Sequence, residues 1–322
     1  MTWIKTIDAE VAGEAVRLVV DGAPSVPGRT MGDKLAWLKK RGEELRTFLM
    51  LEPRGHAGMH GALLTEPVSP DAHAGVLSMH AGGFPDVSGE GVIAAVTIAL
   101  EHGLIHGVDG DVAIDTPAGL FRARPRFASA MAPVAATAPE APEVVSVALT
   151  GVPSYVDQAG LRVQIGTRHA NVDVAFGGEL YAIVDSEAVG IPVDIANADA
   201  LVRMAREVMQ AVRAPVRGTI FTGAPRASAD LRSATVLHGG VLRRSPGVTG
   251  TAALLSVLDA MGLLQGDAQD HRFAHEGVIG TVLHGTVISR EQSDGRPTVR
   301  PLIEGSATVT GFHEFRIGRL ED

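Results

Sequence analysis

Two glycine-bracketed apolar runs constrain this chain more than any other feature. The first, Ser88–Gly103, reads SGEGVIAAVTIALEHG, and from Val92 it meets no charge before Glu101. Val92, Ile93, Val96, Ile98, Ala99 and Leu100 cover nearly every side of a helical projection, which predicts a helix buried inside a lobe. Ser88 suits the N-cap and Gly103 the stop just past the last turn. A buried helix that opens on Ser-Gly-Glu-Gly aims bare backbone N–H groups at whatever precedes it, a ready anion site.

The same design returns at Gly247–Gly262, GVTGTAALLSVLDAMG. A shift of 159 places (88 to 247) lays Gly91 on Gly250 and Gly103 on Gly262. Either two glycine-capped core helices resemble each other by chance, or the architecture is a duplication of two similar lobes. If the lobes face each other, both helix N-termini converge on one small anionic ligand.

The bulk numbers narrow the function. A net charge of −9 supplies no basic stripe for a nucleic-acid groove. No apolar run reaches membrane-spanning length, and the opening MTWIKTIDAEVAGE has no signal-peptide core, so a soluble, cytoplasmic protein is expected. The chain has no cysteine, which removes disulfides, thiolate catalysis and cysteine-held metals.

In chain order, Ile4–Ile7 and Ala15–Val20 read as a hairpin around Gly13-Glu14. Met31–Leu49 reads as one amphipathic surface helix, with Leu35, Leu38 and Leu45 on its apolar side. Strands are expected at Met59–Leu64 and Gly75–His80, and a hairpin at Val112–Asp115 and Gly119–Arg124 around Thr116-Pro117. The Ala/Pro-rich stretch 130–143 suits a crossover between lobes. Strands follow at Val144–Leu149, Val172–Phe176 and Leu180–Asp185, then an amphipathic helix at Asn197–Gln210. Regular βαβ alternation is missing, so the fold class is α+β.

These segments, in this order, resemble the proline racemase superfamily almost end to end. Gly13-Glu14 with Arg17, Pro27-Gly28-Arg29-Thr30-Met31, Glu52-Pro53-Arg54-Gly55-His56 and Met59 with Gly61-Ala62 carry the N-terminal part. Thr116-Pro117-Ala118-Gly119, Phe176-Gly177-Gly178, Tyr181–Asp185, Arg244-Ser245-Pro246, Gly250-Thr251 and Thr310-Gly311 before Ile317-Gly318 carry the rest. The resemblance implies two pseudo-symmetric lobes, each a curved, mostly antiparallel sheet around a central helix, as in diaminopimelate epimerase. It places residues 1–128 with about 306–322 in one lobe and 129–305 in the other. It also implies a cleft that clamps a small cyclic amino acid, no cofactor and a homodimer.

The chemistry so implied is proton abstraction at Cα of a proline-type amino acid. Racemases and 4-hydroxyproline epimerases of the family use one residue per face, at the starts of the two central helices, and the helix amides stabilise charge spreading into the carboxylate. Related 3-hydroxyproline dehydratases use one base, and the 3-hydroxyl leaves. The family's first catalytic pattern, Cys-Gly-His, stands here as Ser88-Gly89-Glu90, and the second, Cys-Gly-Thr-Gly-Thr, as Gly247-Val248-Thr249-Gly250-Thr251. Gly247 has no side chain to move a proton, so two-base racemisation is not expected to run in the usual way. Arg243 stands at the family's Asp, Glu90 and Glu10 at its histidines, and Glu179 where many relatives have Asn.

The catalytic candidates are therefore Ser88 and Glu90. Ser88 is either the proton-transfer group, with Glu90 as its partner, or a plain N-cap. Glu90 is either a one-face base or a charge that complements the helix dipole. The binding candidates are Gly89, Gly91, Arg243, Val248, Thr249, Gly250 and Thr251. Arg243 either binds a carboxylate, pairs with Glu90 or Glu179, or is solvated. Thr249 and Thr251 are expected to cap the second helix. His56 and His60, four apart, are in no recognisable metal context, and His169, His238 and His284 carry no signal, so no metal site is expected. Three functions follow: one-sided chemistry at Cα, a non-catalytic carboxylate binder, or an isomerase or lyase for another amino-acid-like substrate.

Overall fold

The computed structural model describes residues 2–105, 110–128, 142–226, 228–264, 272–293 and 295–318. The chain divides into two compact units, Met1–Leu149 with Gly305–Asp322, and Thr150–Glu304.

In the first unit, Thr2–Val11 (β1) and Glu14–Asp21 (β2) pair antiparallel, Val11 opposite Glu14. The turn lies on Ala12-Gly13, one residue before the place expected from the sequence. Both turn residues have positive φ, 48° and 90°, the requirement of a two-residue hairpin loop whose twist matches its strands. Next come Met31–Arg41 (α1), Glu43–Met50 (α2), His60–Thr65 (β3) and Ala74–His80 (β4). Gly89–Glu101 (α3), Val112–Thr116 (β5), Gly119–Phe127 (β6) and Val144–Thr150 (β7) follow, and Ala307–Ile317 (β17) returns from the far end of the chain.

The single helix expected over 31–49 is two helices that meet at Gly42. A Cβ there would stand 2.9 Å from the Leu38 carbonyl oxygen, as well as 2.8 Å from Leu38 Cδ2 and 3.1 Å from Phe84 Cζ, so the chain turns at a place too crowded for a side chain without some shift. Nor is the pair wholly a surface element, because the Lys34 ammonium is buried on Thr65 Oγ1 and the Glu66 carbonyl.

The second unit contains Tyr155–Ile165 (β8), Arg168–Phe176 (β9), Leu180–Asp185 (β10), Ser186–Val189 (α4) and Ala198–Val212 (α5). It continues with Gly218–Gly223 (β11), Leu231–Leu237 (β12), Val241–Leu242 (β13) and Val248–Ala260 (α6). Phe273–Glu276 (β14), Val282–Ser293 (β15) and Arg296–Gly305 (β16) complete it. Residues 130–141 of the expected crossover lie outside the described residues.

The duplication is written in the strand pairings of each unit. The series β17-β1-β2-β3-β4-β5-β6 pairs antiparallel, antiparallel, parallel, antiparallel, parallel, antiparallel. The series β8-β9-β10-β11-β12-β14-β15 pairs in the same order and senses. After the fourth link the chain enters the buried helix in both units, directly into α3 in the first and by way of the short β13 into α6 in the second. The fold is thus α+β, with large, mostly antiparallel sheets and few helices.

The two helices also end alike. Gly103 and Gly262 have φ of 64° and 74° and follow the C-caps His102 and Met261. Leu104 N–H donates to the Ala99 carbonyl at 2.8 Å, and Leu263 N–H to the Leu258 carbonyl at 2.9 Å, the long bond of a Schellman motif in each case. Residues Gly89 to Leu100 of α3 are all buried. Each large aliphatic among them contributes about 1.5–3 kcal/mol of transfer free energy, enough to hold this helix without a polar face. No helix among the described residues is long and apolar enough to cross a membrane.

Candidate active site

The head of α3 is built on the sheet face formed by β3 and β4. Gly61 on β3 points away from α3, since a Cβ there would press on Met50 of α2 and on Met79. His60 and Ala62 therefore face the other way, toward α3, because side chains alternate along a strand. Ser88 caps the helix as expected: its backbone is extended, and Oγ accepts the Gly91 N–H at 3.1 Å. Its own N–H donates to Ser78 Oγ at 3.0 Å, which ties the cap to β4. On the remaining side, Ser88 Oγ lies 3.3 Å from His60 Nδ1, and both residues are buried. Glu90 is buried in the first turn, 3% exposed, where the helix dipole favours its charge.

The head of α6 differs in its first residue. Gly247 takes the N-cap with φ 86°, and no side chain caps the helix. The hydroxyls expected to cap it are engaged elsewhere. Thr251 Oγ1 donates to the Gly247 carbonyl at 2.7 Å and lies 2.9 Å from His275 Nδ1, with the residue fully buried. Its single proton goes to the carbonyl, which can only accept, so His275 donates from Nδ1 and accepts at Nε2 from Ser233 Oγ, 2.8 Å away. Burial pushes this imidazole down to about 3, so it is neutral.

Thr249 Oγ1 lies 2.8 Å from the Tyr181 hydroxyl, which donates to Glu179 Oε2 at 3.2 Å. A carboxylate accepts only, so the phenol proton belongs to Glu179 and Thr249 donates to Tyr181. The lone pairs left on Thr249 make it an acceptor toward anything outside this chain of hydroxyls. Arg217 Nε holds the other Glu179 oxygen at 3.3 Å. Burial, and after it the Glu179 charge, raises the Tyr181 phenol far above the ordinary tyrosine value, while Arg243 and Arg217 pull the other way. Arg243 is therefore close to this group, and it is buried rather than solvated.

The structure thus brings Ser88, Gly89, Glu90 and Gly91 together at the head of α3. In the second unit it gathers Arg243, Val248, Thr249, Gly250 and Thr251 at the head of α6. Sequence reasoning missed His60, His275, Ser233 and Arg217. The four-residue spacing of His56 and His60 says nothing of this role, because the informative neighbour of His60 is 28 residues away in sequence. Among the described residues no group of three or more His, Asp or Glu could hold a metal ion.

The family model described as proline racemase matches residues 6–319. A trans-3-hydroxy-L-proline dehydratase of Bacillus cereus is 34% identical, over 98% of this chain and 95% of its own. A 3-hydroxyproline 2-epimerase of Burkholderia multivorans is 35% identical, over 96% of this chain and 93% of its own. Among solved structures, a hydroxyproline epimerase from Agrobacterium vitis with bound trans-4-hydroxy-L-proline superposes with a TM-score of 0.84 at 28% identity, covering 97% of this chain and 92% of its own. The relatives so named are racemases, epimerases and dehydratases, all enzymes, and the match spans both units. This chain belongs to the proline racemase family.

Proposed function

We propose that this protein removes the Cα proton of a proline-type hydroxyamino acid from one face only, and that dehydration of a 3-hydroxyproline suits it better than racemisation. One observation carries the reading: α3 opens on a hydroxyl, Ser88, whereas the matching position of α6 is Gly247, which can neither take nor give a proton. Ser88 is the proton-handling group in this reading, with Glu90 beside it. The amides of Gly89 and Glu90 stabilise the developing enediolate, since charge at a helix N-terminus in a dry site is strongly favoured. Arg243, Val248, Gly250 and the acceptor oxygen of Thr249 serve binding, the latter suiting the N–H of a ring amine. The names of the relatives supply the substrate class.

The test is incubation in D₂O with the L and D forms of proline, trans-4-hydroxy-L-proline and trans-3-hydroxy-L-proline. Cα deuteration or a ring imine from the 3-hydroxy substrate is expected, without interconversion of proline enantiomers. Ser88→Ala is expected to lower the rate by about 10²–10⁴, the usual worth of a positioned proton carrier. Absence of deuteration and of imine across the panel refutes the reading, and saturable calorimetric binding without turnover then marks a carboxylate-binding homologue.

A further inference from the structure

We infer that His60 is the group behind Ser88 that receives its proton, so that the two residues act as a relay at the head of α3. The inference rests on the reading of Ser88 as the proton-handling residue.

Capping requires only the bond from the Gly91 N–H to Ser88 Oγ, 3.1 Å long. A second polar contact on the same oxygen, to an imidazole nitrogen 3.3 Å away and out of water, exceeds that need. Since Ser88 Oγ already accepts from Gly91, its own proton is free to point at His60 Nδ1, which then accepts and carries its proton on Nε2. One oxygen lone pair remains for a Cα–H. The Gly91 amide and the helix dipole stabilise negative charge on that oxygen, and His60 takes the proton that would otherwise hold the hydroxyl neutral.

The Cα–H bond breaks, a new Oγ–H bond forms, and the original hydroxyl proton passes to Nδ1, giving an imidazolium. The electron pair of the C–H bond enters the carboxylate as an enediolate. Return of a proton along the same path restores the starting state, with deuterium from solvent entering at Cα.

His60 acts through Ser88 and is a positioning residue in that sense. Among the described residues, several charged and titratable groups lie around His60. His80 stands opposite it on β4, Glu90 lies in the first turn of α3, and Glu14 lies two residues before its β2 neighbour Val16, on the same face. Arg46 of α2 holds the His80 and Ala81 carbonyls. Arg17 belongs to the opposite face, bound to Asp8 and to the Leu49 and Arg54 carbonyls.

The test uses His60→Asn, whose amide places an acceptor near the Nδ1 position but cannot carry away a proton. Cα deuterium exchange with the substrate that responds is followed from acid to neutral pH. The expected result is a kcat lowered by about 10²–10⁴ with KM kept, and loss of the acid limb of kcat/KM that the relay predicts for the unsubstituted protein. An unchanged kcat and an unchanged acid limb in a folded His60→Asn protein overturn the relay. If the unsubstituted protein exchanges no substrate, the reading of its function fails instead, and the relay is judged by ¹⁵N NMR of the His60 ring. An unprotonated Nδ1 whose shift moves in Ser88→Ala upholds it; a protonated Nδ1, or a shift indifferent to Ser88, overturns it.

Discussion

Ser88 and Gly247 hold the same place at the heads of two matched helices, yet φ is −126° at the first and 86° at the second. Gly247 therefore differs from Ser88 in its backbone as well as in its missing side chain. Its backbone lies where L side chains rarely sit, so a residue restored there does not reproduce the geometry of Ser88.

That difference predicts the behaviour of Gly247→Ala and Gly247→Ser. Space is not the obstacle, because the atom nearest a Cβ at this position is Gly250 N at 3.8 Å. The backbone is, with φ 86° and ψ 129° in a region that L residues rarely adopt, and it costs roughly 1–3 kcal/mol, read as a lower urea midpoint at unchanged slope. Gly247→Ser is expected to stay unable to interconvert proline enantiomers. Stability equal to the parent would show that the backbone at 247 adapts freely.

His275 predicts an acid-sensitive second unit. Its imidazole, buried between Thr251 and Ser233, is held down to about 3, against about 6.5 in an unfolded chain. Above pH 6.5 both states are neutral and the group contributes nothing. As pH falls below 6.5 the unfolded state binds a proton that the folded state refuses, so stability falls by about 1.4 kcal/mol per pH unit until about pH 3. His275→Gln is expected to flatten that decline in denaturant titrations between pH 6.5 and 4, at some loss of stability near pH 7. A decline as steep in the variant would assign the acid sensitivity to other groups.

Gly177 marks where α6 rests on the turn between β9 and β10. A Cβ there would collide with Thr249 O and Ala253 N, and stand 2.9 Å from Ala252 C, all of them backbone atoms that cannot swing aside. Gly177→Ala is expected to cost about 3 kcal/mol or more. Loss of soluble protein, or a urea midpoint far below the parent's, checks it. The neighbouring Thr249 contact makes this glycine a support of the α6 head as well as of the fold.

How much of this was legible in the sequence depended on whether a partner was local. The buried helices announced themselves because composition and glycine brackets act over a few residues, and the helix read at Asn197–Gln210 stands at Ala198–Val212 on its periodicity. Strand β8 went unread because its register slips twice, between Val156 and Gln158 and again before Leu161, which breaks the alternation that marks a strand. The break at Gly42 was hidden because an amphipathic pattern runs through it, and Phe84, distant in sequence, crowds the glycine together with Leu38 one turn back. At the candidate site, Ser88 and Gly247 were visible by position in the motif. His60 and Tyr181 gained their meaning only when folding brought them to Ser88 and Thr249.

Tyr181 carries the remaining prediction. Its phenol is the middle link between Thr249 and Glu179, and burial together with the Glu179 charge keeps it protonated through the alkaline range in which tyrosine ordinarily ionises. It works as a fixed donor, not as a base. Tyr181→Phe removes a hydrogen bond to a charged group, worth about 1.5–3 kcal/mol, and frees Thr249 to turn its hydroxyl. If Thr249 presents its oxygen to a ring amine, turning it weakens binding without touching proton transfer. KM is then expected to rise by about tenfold per 1.4 kcal/mol lost, with kcat nearly kept, whereas Ser88→Ala lowers kcat. Steady-state exchange kinetics of the two variants on one substrate separate the roles. A Tyr181→Phe protein that loses kcat at constant KM would move Tyr181 from positioning into the proton-transfer step itself.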